Sequence, residues 1–183
     1  MSLQNKKIVI IVEDQYQDQE VWYPYFRLKE EGTQVIVAGT GKKSVYKSKH
    51  GYEIIADTDA SKIKASGVDG IIVPGGYAPD PLRRYDFVNK LVAEIFKQGK
   101  LVASICHGQW VLCSAGILKG KRATCFFAIK DDVVNAGAKY LDQEVVVHEN
   151  LVTSRCPEDL PAFMREILKI LHTQKTTKPI TVR

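Results

Sequence analysis

Four short runs, "KKIVIIVED", "TQVIVAG", "DGIIVPGG" and "KLVASICHG", dominate the first 108 residues. Each is apolar over three to five consecutive positions rather than at alternate ones, is rich in β-branched residues, and closes in turn-forming or polar residues. A strand of that kind is buried on both faces, which is the condition of a parallel sheet covered by helices. Between the runs the apolar period changes to that of a helix: Val21, Tyr25 and Leu28 after the first run, and Phe87, Leu91 and Ile95 after the third. The alternation predicts an α/β fold, a mostly parallel sheet with helices on both faces. Two later runs, "EVVV" and "LVTS", are separated by His148, Glu149 and Asn150, a spacing that fits a hairpin better than another crossover. "PEDLPAFMREILKILH" predicts a last helix with Pro157 near its start and Leu160, Phe163, Ile167 and Leu171 facing inward. Residues 1–173 read as a single domain, and the tail after it, 174–183, as loosely ordered.

Composition narrows the function classes. The 183 residues, 45% hydrophobic and 26% charged, suit one ordinary globular domain. The net charge of +5 is spread along the chain with no basic run interleaved with aromatics, so nucleic acid is not an expected partner. No apolar stretch reaches the length of a membrane span, and the N-terminus lacks the pattern of a signal peptide; a cytoplasmic protein is expected. Cys106, Cys113, Cys125 and Cys156 show no CxxC spacing, so neither a metal nor a cofactor is expected, and free thiols are the default.

Parallel α/β sheets place ligand sites at the carboxyl ends of their strands. Three loops should meet at that edge: "EDQYQDQE" after the first strand, "PGGYAPD" after the third and "CHGQW" after the fourth. In the last of these, strand, sharp turn and helix follow one another as in a nucleophile elbow. Cys106 then sits at a helix N-terminus, where unpaired N–H groups and the helix dipole favour a thiolate. The N–H of His107 and a second N–H from the diglycine Gly75-Gly76 can form an oxyanion hole. His107 is a candidate base, although adjacent side chains in a turn need not meet, and Asp80 is the carboxylate that the diglycine loop offers.

These residues carry a resemblance. Through "YPYFRLKEEG", "KHGY", "VPGGYAPD", "ASICHG", "AGILKGKRAT", "IKDDVVNAGA" and "LVTSRCPEDLPAF" the chain resembles the ThiJ/PfpI family of glutamine amidotransferase-like proteins, and in particular its PfpI branch. The resemblance implies a flavodoxin-like three-layer fold and a homodimer or hexamer. It implies Cys106 as nucleophile, His107 as its partner and the N–H groups of Gly76 and His107 as the oxyanion hole. It also implies a third catalytic residue donated by an adjacent subunit at the position of Asp80. Two positions depart from the family: the acidic residue that serves the cysteine aligns with Gln17, with Glu13, Asp14, Asp18 and Glu20 as second choices, and a tyrosine near the nucleophile is replaced by Phe126, expected to wall the pocket beside Gly75. Arg155 and His50 match family motifs and are expected to be structural.

Three functions follow as expectations. The first is a cysteine hydrolase of the peptidase type, with a peptide substrate, favoured by the Cys-His pair and the acidic slot at Asp80. The second is deglycase or glyoxalase chemistry on reactive carbonyls, which needs a proton moved between carbons and which an amide at Gln17 should slow. The third is a stress-response thiol oxidised reversibly with little turnover.

Overall fold

A computed structural model describes residues 3–174; the tail from residue 175 onward lies outside the described residues. In chain order the elements are β1 (Lys7–Ile11), α1 (Asp18–Glu30), β2 (Gln34–Gly39), β3 (Val45–Lys47), β4 (Glu53–Ile55), β5 (Thr58–Asp59), β6 (Gly70–Val73), α2 (Pro79–Leu82), α3 (Asp86–Lys97) and β7 (Leu101–Ile105). There follow α4 (Gln109–Ser114), β8 (Arg122–Ala123), α5 (Lys130–Asn135), β9 (Lys139–Tyr140), β10 (Val145–His148), β11 (Leu151–Ser154) and α6 (Leu160–Thr173). The main sheet has the order β10-β11-β7-β6-β1-β2-β5. All its pairings are parallel except that of β10 with β11.

The four apolar runs form β1, β2, β6 and β7, and almost every residue in β1, β6 and β7 is buried, as strands covered on both faces require. From β1 the chain moves to β2 on one side, and from β6 to β7 on the other. With right-handed crossovers this puts α1 and α3 on opposite faces of the sheet. Accordingly α1 packs with α6, and α2, α3 and α5 pack with α4. The expected hairpin is present, but β11 also joins β7 in parallel, so the pair extends the main sheet. Its turn is tighter than the spacing implied: His148 stays in β10, and Glu149 takes a positive φ of 57°. The expected stripe Leu160, Phe163, Ile167 and Leu171 is buried, with Pro157 opening a 3-10 turn ahead of α6.

Because β7, β6 and β1 are consecutive in the sheet, the loops leaving their carboxyl ends are neighbours. Those loops are sewn together by backbone. The Gln17 N–H donates to the Gly75 carbonyl at 3.2 Å and the Tyr77 N–H to the Gln15 carbonyl at 2.9 Å. On its other side, the Gln15 N–H donates to the Lys47 carbonyl at 2.6 Å and the Lys49 N–H to the Tyr16 carbonyl at 3.0 Å. The β3–β4 hairpin is thereby drawn against the same edge.

Phe163 is fully buried under the sheet. Truncation to Ala should cost about 3–5 kcal/mol of unfolding free energy, measured by urea titration, with the circular dichroism of the folded state unchanged.

Candidate active site

Cys106 ends β7 and begins a 3-10 turn, Cys106–Gly108, that leads directly into α4. Its φ is +62°, left-handed backbone that a residue with a Cβ adopts only when its surroundings enforce it. Here the enforcement is visible: the carbonyl of Cys106 accepts from the Phe126 N–H at 3.3 Å, and β7 is fixed between β6 and β11. The elbow expected from strand, turn and helix is therefore present.

The backbone N–H groups of Gly76 and His107 stand close enough to the cysteine sulfur to pull its pKa down. Gly76 has φ +79°, and a Cβ on it would come within 2.4 Å of the Gln15 carbonyl oxygen and 2.5 Å of the Gln17 nitrogen. Gly75 is constrained by space: a Cβ there would meet the Cys106 Cβ and a Glu20 carboxylate oxygen, each at 2.7 Å, and the His107 nitrogen at 2.9 Å. Only a diglycine lets the two loops close over the cysteine.

The group on the sulfur is the carboxyl of Glu20, which corrects the reading of Gln17. Glu20 lies in the first turn of α1 with 0% exposure. One of its oxygens accepts the Gly75 N–H at 2.7 Å, the other is buried without a hydrogen-bond partner, and the carboxyl stands close enough to Cys106 for each to shift the other's pKa. Gln17 flanks the helix as its N-cap residue, makes no side-chain cap bond, and buries its Oε1 without a hydrogen-bond partner. The physical reason is helical period. Glu20, Pro24 and Leu28 are four residues apart and all buried, so they share the face of α1 turned to the sheet, whereas Gln17 precedes the first turn. That spacing was readable in the sequence.

The electrostatics also differ from a simple helix-terminus thiolate. Burial, then the charge of Glu20, pushes the Cys106 thiol well above its ordinary range, against the opposing pull of the Gly76 and His107 N–H groups. Burial likewise pushes Glu20 up to about 7, although the Gly75 N–H and the cysteine both hold it down. One negative charge fits between the two groups and two do not. At neutral pH the thiol therefore keeps its proton, and Glu20 is the group of the two that titrates.

His107 Nδ1 lies 3.2 Å from the Cys106 sulfur. Burial and the neighbouring charge of Lys49 lower its pKa, so the imidazole is neutral at pH 7 and able to accept a proton. Its ring packs against Trp110 and, on another side, Phe126, each with centroids 5.0 Å apart. Phe126 is therefore part of the wall around the pair. Asp80 lies in the first turn of α2, and its carboxylate is ion-paired with Arg84 in the turn that follows the helix. Among the described residues no carboxylate hydrogen-bonds His107.

His50, expected to be structural, sits in a hydrogen-bonded turn beside the site. Its Nδ1 is 2.6 Å from Asp18, whose other oxygen accepts the Ser48 hydroxyl at 2.5 Å. Arg155 is held by Asp159 and Asp142, at 2.8 Å each. Cys113, Cys125 and Cys156 are free thiols raised by burial, to about 11, about 12 and about 11. Among the described residues no cluster of His, Cys, Asp or Glu is placed to hold a metal, and no helix is long and apolar enough to cross a membrane.

A family model described as DJ-1/PfpI matches residues 6–170, the whole of the fold around this elbow. The chain belongs to the DJ-1/PfpI family. Among its relatives, "Deglycase PYRAB04690" of Pyrococcus abyssi is 45% identical over 90% of this chain and 99% of its own length. "Protein/nucleic acid deglycase 2" of Escherichia coli is 37% identical over 91% of this chain and 98% of its own. A solved two-domain protein of Anabaena variabilis, with a DJ-1/ThiJ/PfpI-like and a ferritin-like domain, superposes with a TM-score of 0.89 at 41% identity. That match covers 97% of this chain and 52% of the other, so this chain spans about half of it. DJ-1/PfpI relatives with deglycase names support a cysteine-based enzyme of the hydrolase or deglycase kind.

Glu20→Gln tests the shared charge through stability. The folded protein holds Glu20 at about 7, above the ordinary 4.5, so ionising it opposes folding. Stability from the protonated carboxyl is complete below pH 4.5 and is lost as pH rises to 7. The variant should therefore gain roughly 2–3 kcal/mol on the wild type between pH 4 and pH 8, read from urea unfolding at both values.

Proposed function

We propose that this chain is a cysteine-dependent deglycase-type enzyme acting on α-oxoaldehydes and their adducts with amines. The observation that carries the reading is the Glu20 carboxyl on the Cys106 sulfur, with a pKa of about 7. Glu20 as carboxylate takes the thiol proton as the sulfur adds to the aldehyde carbon, forming a hemithioacetal; with an amine adduct, the amine leaves. A base then removes the C–H proton of that carbon and the neighbouring carbonyl oxygen becomes an enediolate, stabilised by the N–H groups of Gly76 and His107. Returning the proton to the adjacent carbon produces a thioester, which water cleaves to a 2-hydroxy acid and the free thiol. Glu20, which titrates near pH 7 beside the cysteine, and His107, neutral and in contact with the sulfur, are the groups able to carry these protons.

This reverses the order in which the sequence ranked the functions. The objection to proton-moving chemistry was an amide at Gln17, and the carboxyl is supplied by Glu20 instead. The peptidase reading requires an orienting carboxylate on His107, and within the chain Asp80 is engaged by Arg84. It therefore depends on an assembly that brings Asp80 of another copy to His107.

Cys106→Ser should abolish methylglyoxal consumption and the release of 2-hydroxy acid. Glu20→Gln should lower kcat for the same conversion by about 100-fold or more, and Gln17→Ala should stay within about threefold of wild type. Equal losses at Gln17 and Glu20 would contradict the assignment.

A further inference from the structure

His107 needs something to hold its ring against the sulfur, and within the chain two aromatic residues pack on that ring. The Trp110 ring meets the imidazole edge-on, at 5.0 Å between centroids and 68° between planes; Phe126 lies along it at 5.0 Å and 33°. Edge-to-face contacts of this kind fix orientation as well as burying area.

Trp110 is itself held at three points. It belongs to α4, one turn beyond Cys106. Its indole N–H donates to Asp132 of α5 at 3.1 Å. On its ring sits the guanidinium of Arg83, 5.9 Å from the centroid, and the Nε–H of Arg83 donates to the Ser114 hydroxyl at 2.9 Å. A ring pinned by helix, carboxylate and cation resists displacement, and the imidazole it touches cannot swing in that direction. Phe126 is tied to the same elbow through its N–H on the Cys106 carbonyl.

We propose that Trp110 is a positioning residue for His107: clamped by Asp132 and Arg83, and working with Phe126, it holds the imidazole with Nδ1 on the Cys106 sulfur and keeps water from it. This rests on the reading of Cys106 and His107 as the reacting pair. The charged and titratable groups around His107 are Cys106 on its own turn, Glu20 of α1 beyond the sulfur, Lys49 of the β3–β4 hairpin, and Arg83 and Asp132 behind the indole. Of these, Lys49 lowers the imidazole pKa together with burial, so opening the clamp admits water and raises that pKa.

The test is nitrogen-15 NMR titration of His107 alongside kinetics on methylglyoxal, for the wild type, Trp110→Leu, Trp110→Phe and Asp132→Asn. In wild type His107 should titrate below the ordinary histidine value with one neutral tautomer. Trp110→Leu should raise the titration toward about 6.5, mix the tautomers, and lower kcat about tenfold with KM within about twofold. Trp110→Phe, which keeps the aromatic edge, should recover most of both. Asp132→Asn, which leaves the ring in place with a weaker anchor, should fall between wild type and Trp110→Leu. His107 titrating alike in the wild type and Trp110→Leu would overturn the proposal, as would an equal loss in Trp110→Phe and Trp110→Leu. If no variant or wild type turns over methylglyoxal, the deglycase reading fails, and the NMR comparison still decides the clamp.

Discussion

The site depends on one charge shared between a buried carboxyl and a buried thiol. Glu20 and Cys106 come from different faces of the chain's architecture, one from the first turn of α1 and the other from the end of β7, and they meet beneath Gly75. Neither is solvated enough to ionise freely; the charge of Glu20 makes ionisation of the thiol harder still, while the thiol eases that of the carboxyl. A carboxyl that titrates near pH 7 beside a protonated thiol is placed to accept that thiol's proton when the sulfur reacts. The left-handed backbone at Cys106 and the diglycine are the conformational conditions for that contact.

Much of this was legible in the sequence. Continuous apolar runs with helical stripes between them identified β1, β2, β6 and β7 and the parallel sheet, because two-sided burial leaves no alternation. "ICHG" after an apolar run identified the elbow, since strand, turn and helix there leave few other conformations. The short β3–β4 hairpin was not foreseen: with three residues a strand it has too little pattern to stand out, and it is placed by backbone bonds from Lys47 and Lys49 to the first loop. The assignment of Gln17 failed for a more instructive reason. It placed an acidic slot by position along a loop, whereas the structure places it by helical face, and Glu20 shares its face with Pro24 and Leu28.

The thiol also behaves differently from the expectation. A cysteine at a helix N-terminus was expected to be a ready thiolate, but the 3-10 turn and six-residue α4 that follow it supply only a few N–H groups, and burial outweighs them. On the proposed function, activation falls to Glu20 as a partner that accepts the proton and to His107 as a neutral base. This is consistent with chemistry in which protons are relayed at carbon and oxygen on one substrate, and it places the weight of the mechanism on α1 as much as on the elbow.

The most direct measurement is the titration of the Glu20 side-chain carboxyl by carbon-13 NMR in the wild-type protein, with Cys106→Ser as the comparison. A midpoint near 7 in the wild type, perturbed when the sulfur is replaced, is the result expected of a shared charge. A midpoint near 4.5, the same in both proteins, would show an ordinary carboxylate beside an independent thiol and would contradict it.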